Sequence, residues 1–142
     1  MYSRILVGTD GSETAAEAVR QAAELAGLLG AELLVVHGAR TTSGAPDVGY
    51  GVPTVDVEAI RNAGQEILKE AETGAGSGVK VRTMMREGDP AEAILDAAEE
   101  EDADLIVVGN RGMRGAKRFL LGSVPNRVAH HASCNVLIVH TT

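Results

Sequence analysis

One segment of the chain has the composition of an anion cradle. Gly109-Asn110-Arg111-Gly112 is followed, after nine further residues, by Gly122-Ser123, a Gly-x2-Gly-x9-Gly-Ser skeleton. Glycines let the main chain turn with positive φ and let a ligand approach it closely. Successive N–H groups can then converge on phosphate oxygens. Arg111, Arg114, Lys117 and Arg118 lie within the same stretch. Gly122-Ser123 opens a helical pattern, so unpaired first-turn N–H groups and the positive end of the helix dipole face the same space. Ser123 adds a hydroxyl. The segment is not a Walker loop, because Gly-x4-Gly-Lys-Ser/Thr is absent, and no Gly-x-Gly-x-x-Gly follows the first strand. A flexible turn with a helix cap is the plain alternative. The position of the segment, after an apolar strand and before a capped helix, favours phosphate.

Asp10 is the second candidate. It ends an apolar strand, where a carboxylate can accept from ribose hydroxyls or close an Asx turn. Other polar groups read as structural. His37 follows a strand with no nucleophile or carboxylate placed to partner it. His130 and His131 are adjacent, so on a helix they diverge and cannot share a metal as an i, i+4 pair could. Cys134 is a lone small residue before the last strand. No Gly-x-Ser-x-Gly elbow and no His-Glu-x-x-His occurs.

The elements that must position these residues alternate. Arg4-Ile5-Leu6-Val7-Gly8 reads as a buried strand, followed by a helix capped by Ser12 and stopped at Gly30. Glu32 to His37 is a second strand, and Arg40 to Val55 a Thr/Ser/Gly/Pro-rich loop expected to be mobile. A helix with Val57, Ile60, Gly64, Ile67 and Ala71 on one face runs to Gly74. Val79 to Met85 is a third strand. Gly88-Asp89-Pro90-Ala91-Glu92 starts a helix, with Asp89 as cap, Pro90 at the first position and Glu92 reaching back, and the helix runs to about Asp102. Asp104 to Gly109 is a fourth strand, Ser123 to about His131 a helix, and Asn135 to His140 the last strand. Alternation with short apolar strands predicts an α/β fold: a parallel sheet with right-handed crossovers and helices on both faces.

Composition narrows the function. The chain has 142 residues, enough for one domain, and its core must be aliphatic because aromatics are 2% and Trp is absent. That disfavours a base-stacking surface for single-stranded nucleic acid. The net charge of −7 disfavours nucleic acid and acidic membranes in general. The charge is unevenly spread: eight cations face twenty anions up to Asp104, and five cations but no anion follow. No apolar run is long enough to span a bilayer. A strand pattern begins at Ser3-Arg4, so the expectation is a chain without a signal peptide, cytoplasmic in location.

Taken together, Gly8-Thr9-Asp10-Gly11-Ser12, Gly88-Asp89-Pro90, Leu105 to Gly109, the glycine skeleton and the closing Asn135-Val136-Leu137-Ile138-Val139 resemble the universal stress protein family over essentially the whole chain. The resemblance implies a single domain, residues 1–142, with a Rossmann-like five-stranded sheet in the order 3-2-1-4-5. It implies a regulatory protein of the stress response that binds ATP, with or without magnesium, and is not primarily an enzyme. Gly109, Gly112, Gly122 and Ser123 would line the phosphates, with Val124 at the same end and Arg111 among the cations available to them. Thr9 and Asp10 would lie at the nucleotide, Asp10 near ribose or base or acting through a metal ion. The main chain around Gly38 would meet the adenine edge. The turn Gly122-Ser123-Val124-Pro125 also resembles members that bind cyclic AMP, so cyclic AMP or AMP is the alternative ligand, and slow ATP hydrolysis the alternative activity. The uncharged last strand, 135–140, would be a sheet edge, and the resemblance implies that it pairs with the same strand of a second chain to form a homodimer.

Overall fold

A computed structural model describes residues 1–40, 56–111 and 121–141. In chain order the elements are β1 (Arg4–Gly8), α1 (Glu13–Leu29), β2 (Glu32–Ala39), α2 (Val57–Ala75), β3 (Val81–Glu87), α3 (Pro90–Glu100), β4 (Leu105–Gly109), α4 (Ser123–His131) and β5 (Asn135–Val139). All four strand pairings are parallel, and the sheet order is β3-β2-β1-β4-β5. The order reverses between β1 and β4, the position at which open α/β sheets leave a crevice beyond their carboxyl ends.

Strands covered on both faces read as continuous apolar runs, and successive side chains supply two cores. Ile5, Val7, Leu33, Val35, Leu105 and Val107 meet Ala18, Val19, Ala22 and Ala26 of α1 and Leu68 of α2. Leu6, Leu34, Val36, Ile106 and Val108 meet Ala91, Ile94 and Ala97 of α3 and Val128 of α4. The alanines let α1 and α3 lie close to the sheet.

The expected signals set the helix ends. Ser12 Oγ accepts from the Ala15 N–H at 3.2 Å, and Gly30 closes α1 at φ +67°. Asp89 caps α3 by accepting from the Glu92 N–H, with Pro90 in the first turn. The capping box is half made. The Glu92 carboxylate turns instead to Arg127 of α4, 3.2 Å away, because a charged partner outcompetes a neutral N–H. Several strand limits differ from the sequence reading: β3 ends at Glu87, β4 begins at Leu105 and β5 ends at Val139. β2 continues to Ala39 and β3 begins at Val81, because their register pairs Leu33 with Val81 and Ala39 with Glu87. The 40–55 loop, apart from Arg40, lies outside the described residues.

The two sheet edges differ. Edge strand β3 carries Arg82 and Arg86, whereas β5 carries no charge and exposes Leu137. Arg82 bonds Glu32 at 2.6 Å and Glu101 at 2.7 Å. That bond is the main reason each of the two glutamates is held below its usual pKa, against the opposing pull of desolvation. Burial pushes Asp89 upward, but hydrogen bonds from Arg40 and the Glu92 N–H, with the Arg127 charge, leave it lowered. A carboxyl whose pKa is lower folded than unfolded stabilises the fold above its unfolded value, and that contribution is lost as pH falls through the folded one. Urea midpoints should therefore drop as pH falls below the ordinary glutamate value of 4.5. Arg82→Gln should flatten part of that drop while lowering the neutral midpoint slightly, since the pairs are largely exposed.

Candidate functional site

Of the central three strands, β1 stops first at the carboxyl end. Its last residue, Gly8, lies opposite Val36, while β2 continues through His37 and Gly38 to Ala39. On the other side Val7 pairs with Val107, and β4 continues to Gly109 opposite Val139. The result is a notch floored by the end of β1 and walled by β2 and β4. The Thr9 N–H reaches Val36 O at 2.9 Å, after which the chain turns away into α1. The Gly11 N–H bonds Thr9 Oγ1 at 3.2 Å, and the Ser12 N–H bonds Asp10 Oδ1 at 2.9 Å. Asp10 thus makes the Asx turn, and the same turn holds it at the mouth of the notch. Gly11 sits at φ +83°, a conformation that costs glycine nothing.

On the β4 side two skeleton glycines are described, and neither has positive φ. The expectation that they serve unusual backbone angles is corrected. A Cβ on Gly109 would lie 2.6 Å from Thr14 Cγ2 and 3.1 Å from Thr14 O, so this glycine admits the first turn of α1. Among the described residues, a Cβ on Gly122 would meet no atom closer than 3.5 Å. Gly122 is the N-cap of α4 at φ −61° and supplies no capping side chain. Its own N–H is already given to Asn110 O at 2.9 Å, so it is not among the amides open to a phosphate. The first-turn N–H groups of Ser123 and Val124 have no intrahelical acceptor, and Pro125 has no N–H to satisfy. Gly112, Arg114, Lys117 and Arg118 lie outside the described residues.

Asn110, not singled out from the sequence, ties this side together. It is buried. Its N–H reaches Val139 O at 2.9 Å, and its Oδ1 accepts from the Thr141 N–H at 3.1 Å. Thr141 also shares a 3.1 Å hydroxyl contact with Thr14 and accepts from Arg111 Nη2 at 3.2 Å. Arg111 is therefore held at the β5 flank of the notch. No sequence signal marks these partners, because they are about thirty residues apart and meet only through the β4–β5 register.

On the β2 side a Cβ at Gly38 would lie 2.8 Å from Pro90 Cα, so the strand end and the start of α3 touch backbone to backbone. Arg127 is bound to Asp89 and Glu92. His37 is buried, with Nδ1 2.9 Å from Thr9 O. His130 and His131 are exposed, their rings 6.5 Å apart, and Cys134 has its thiol pushed up by burial and by Asp104. Among the described residues no three His, Cys, Asp or Glu side chains come together to hold a metal, and no helix is long and apolar enough to cross a membrane. Among the described residues, the surroundings of the notch offer main-chain donors, the N-terminus of α4, Arg111 and the Asp10 carboxylate. Such a set can grip a phosphorylated ligand.

Residues 1–140 match the family model described as the universal stress protein family. The chain is 40% identical to universal stress protein YxiE of Bacillus subtilis (strain 168), covering 98% of this chain and 99% of that one. Among solved structures it resembles a universal stress protein in complex with cAMP, with 33% identity, TM-score 0.76, and 99% and 98% of the two chains covered. It also resembles a universal stress protein from Archaeoglobus fulgidus in complex with dAMP, with 25% identity, TM-score 0.67, and 96% and 97% covered.

Proposed function

The chain belongs to the universal stress protein family, and on that premise we propose that it binds an adenine nucleotide, ATP first among them, in the notch beyond β1, and acts as a nucleotide-responsive regulator in the stress response. The observation that carries this reading is that β1 stops before both of its neighbours at the carboxyl end, which leaves main-chain groups of β2 unpaired beyond it; the open N-terminus of α4 is taken as the phosphate end of the same site. Phosphates go to the Ser123 and Val124 amides and the Ser123 hydroxyl, with Gly112 and the loop cations beside them. Arg111 exchanges the neutral Thr141 carbonyl for a charged phosphate, the stronger acceptor. Thr9 and Asp10 flank the ribose, and Gly38 meets the base. Magnesium, when ATP carries it, rides on the phosphate oxygens.

Cyclic AMP or AMP is the second reading. Two structural relatives were solved with cAMP and dAMP, and the Gly122-Ser123-Val124-Pro125 turn resembles members that bind cyclic AMP. The uncharged β5 edge supports a homodimer through residues 135–140, and the acidic net charge argues against nucleic acid and acidic membranes as partners; a cytoplasmic location completes the reading.

Calorimetric titration with ATP, AMP and cyclic AMP, with and without magnesium, tests the proposal. Saturable binding of at least one is expected, and no heat from any of them at millimolar concentration overturns it. Single-turnover phosphate release should stay near the uncatalysed rate.

A further inference from the structure

Hydrogen-bond parity along β2 gives His37 a role beyond packing. The Glu32 N–H reaches Ser3 O at 3.0 Å and Val36 O accepts from Thr9, so even-numbered residues of β2 face β1. The Leu33 N–H reaches Lys80 O, and Ala39 O accepts from Gly88, both at 2.9 Å, so odd-numbered residues face β3. Gly38 therefore directs its N–H and C=O toward β1, at the level where β1 has turned away. In a continuing parallel ladder, a residue whose N–H bonds Val36 O accepts at its own carbonyl from the Gly38 N–H. Thr9 does not. Its carbonyl takes the His37 Nδ1–H at 2.9 Å instead, and among the described residues Gly38 donates to no acceptor on that side. The imidazole is held in place from the other side. A Cβ on Gly64 of α2 would come within 3.0 Å of His37 Cδ2, and Met85 lies beside the same spot.

We propose that His37 is a positioning residue for base recognition: by occupying the Thr9 carbonyl, it keeps the β1-facing N–H and C=O of Gly38, whose strand stays paired with β3, open toward the notch. This rests on the nucleotide reading above. A main-chain N–H and C=O side by side complement the N1 acceptor and the N6 amino donor of adenine. They oppose guanine, whose N1–H and O6 reverse that order, so the same device selects the base.

The test compares wild type, His37→Leu and His37→Asn by ATP and GTP titration and by amide hydrogen exchange. Asparagine places an N–H donor as many bonds from Cβ as Nδ1, so it should rescue. In wild type the Gly38 amide should exchange fast and become protected by ATP. In His37→Leu it should be protected without nucleotide, having paired with Thr9, and ATP affinity should fall about tenfold, with GTP discrimination lost. His37→Asn should stay within about threefold of wild type. Unchanged ATP binding in His37→Leu, or equal loss in both variants, overturns the positioning role. If wild type binds no nucleotide, the functional reading fails. Gly38 exchange in the nucleotide-free proteins then still decides whether His37 controls that amide, and equal exchange in all three overturns the inference.

Discussion

Gly122→Ala should leave the fold standing and weaken ATP binding at least about tenfold, and Gly122→Val should weaken it further, each step removing one or more charge-assisted hydrogen bonds of about 1.5–3 kcal/mol. The described residues give glycine no steric reason to be there. Its φ is −61°, and an added Cβ meets Pro125 Cδ at 3.5 Å and Arg111 Cα at 3.6 Å, ordinary contact distances. The stability cost is that of a poorer N-cap, about 1 kcal/mol or less. On the proposed reading, what the methyl displaces is ligand approaching the Ser123 and Val124 amides. Gly109→Ala should show the reverse dependence. Its Cβ runs into the Thr14 side chain and backbone, so it should cost roughly 1–3 kcal/mol of stability whether or not nucleotide is present. Thermal melts with and without ATP separate the two. Wild-type ATP affinity in a folded Gly122→Val protein would remove α4 from the site.

Leu137→Lys should convert a dimer into a monomer. Residues 135–139 form a sheet edge without charge, Leu137 is 39% exposed, and β5 lacks the arginines that guard the opposite edge at β3. Unpaired edge strands of this kind seek a partner strand. If that partner is the same strand of a second copy, a lysine at position 137 is introduced on both sides of the two-fold axis. Like charges so placed cost several kcal/mol, enough for about a hundredfold or greater loss of association. Sedimentation at micromolar concentration should give a dimer for wild type and a monomer for the variant. A wild-type monomer would refute the β5 interface outright. The proposed dimer edge and the proposed nucleotide site are not isolated from one another, since Thr141, just past β5, contacts Asn110, Arg111 and Thr14. The monomeric variant should therefore also be titrated with ATP.

What the residues by themselves determined is local. Apolar runs and 3.6-residue spacing located all nine elements in order, and Ser12, Gly30 and Asp89 marked helix ends where the structure has them. These features depend on neighbours a few residues away, which a sequence displays directly. The resemblance added the 3-2-1-4-5 order, and the structure has it. Only the tertiary structure decided the rest of the site. Gly109 is small because α1 packs against it. Gly122 has spent its amide on Asn110, and Glu92 left its capping box for Arg127. The β2 overhang exists because β3 pairs with it through Ala39, and the His37 bond to Thr9 crosses 28 residues of chain. Each of these is a choice among competing partners, made by strand register and helix approach, and no spacing along a single chain encodes which competitor arrives at hydrogen-bond distance.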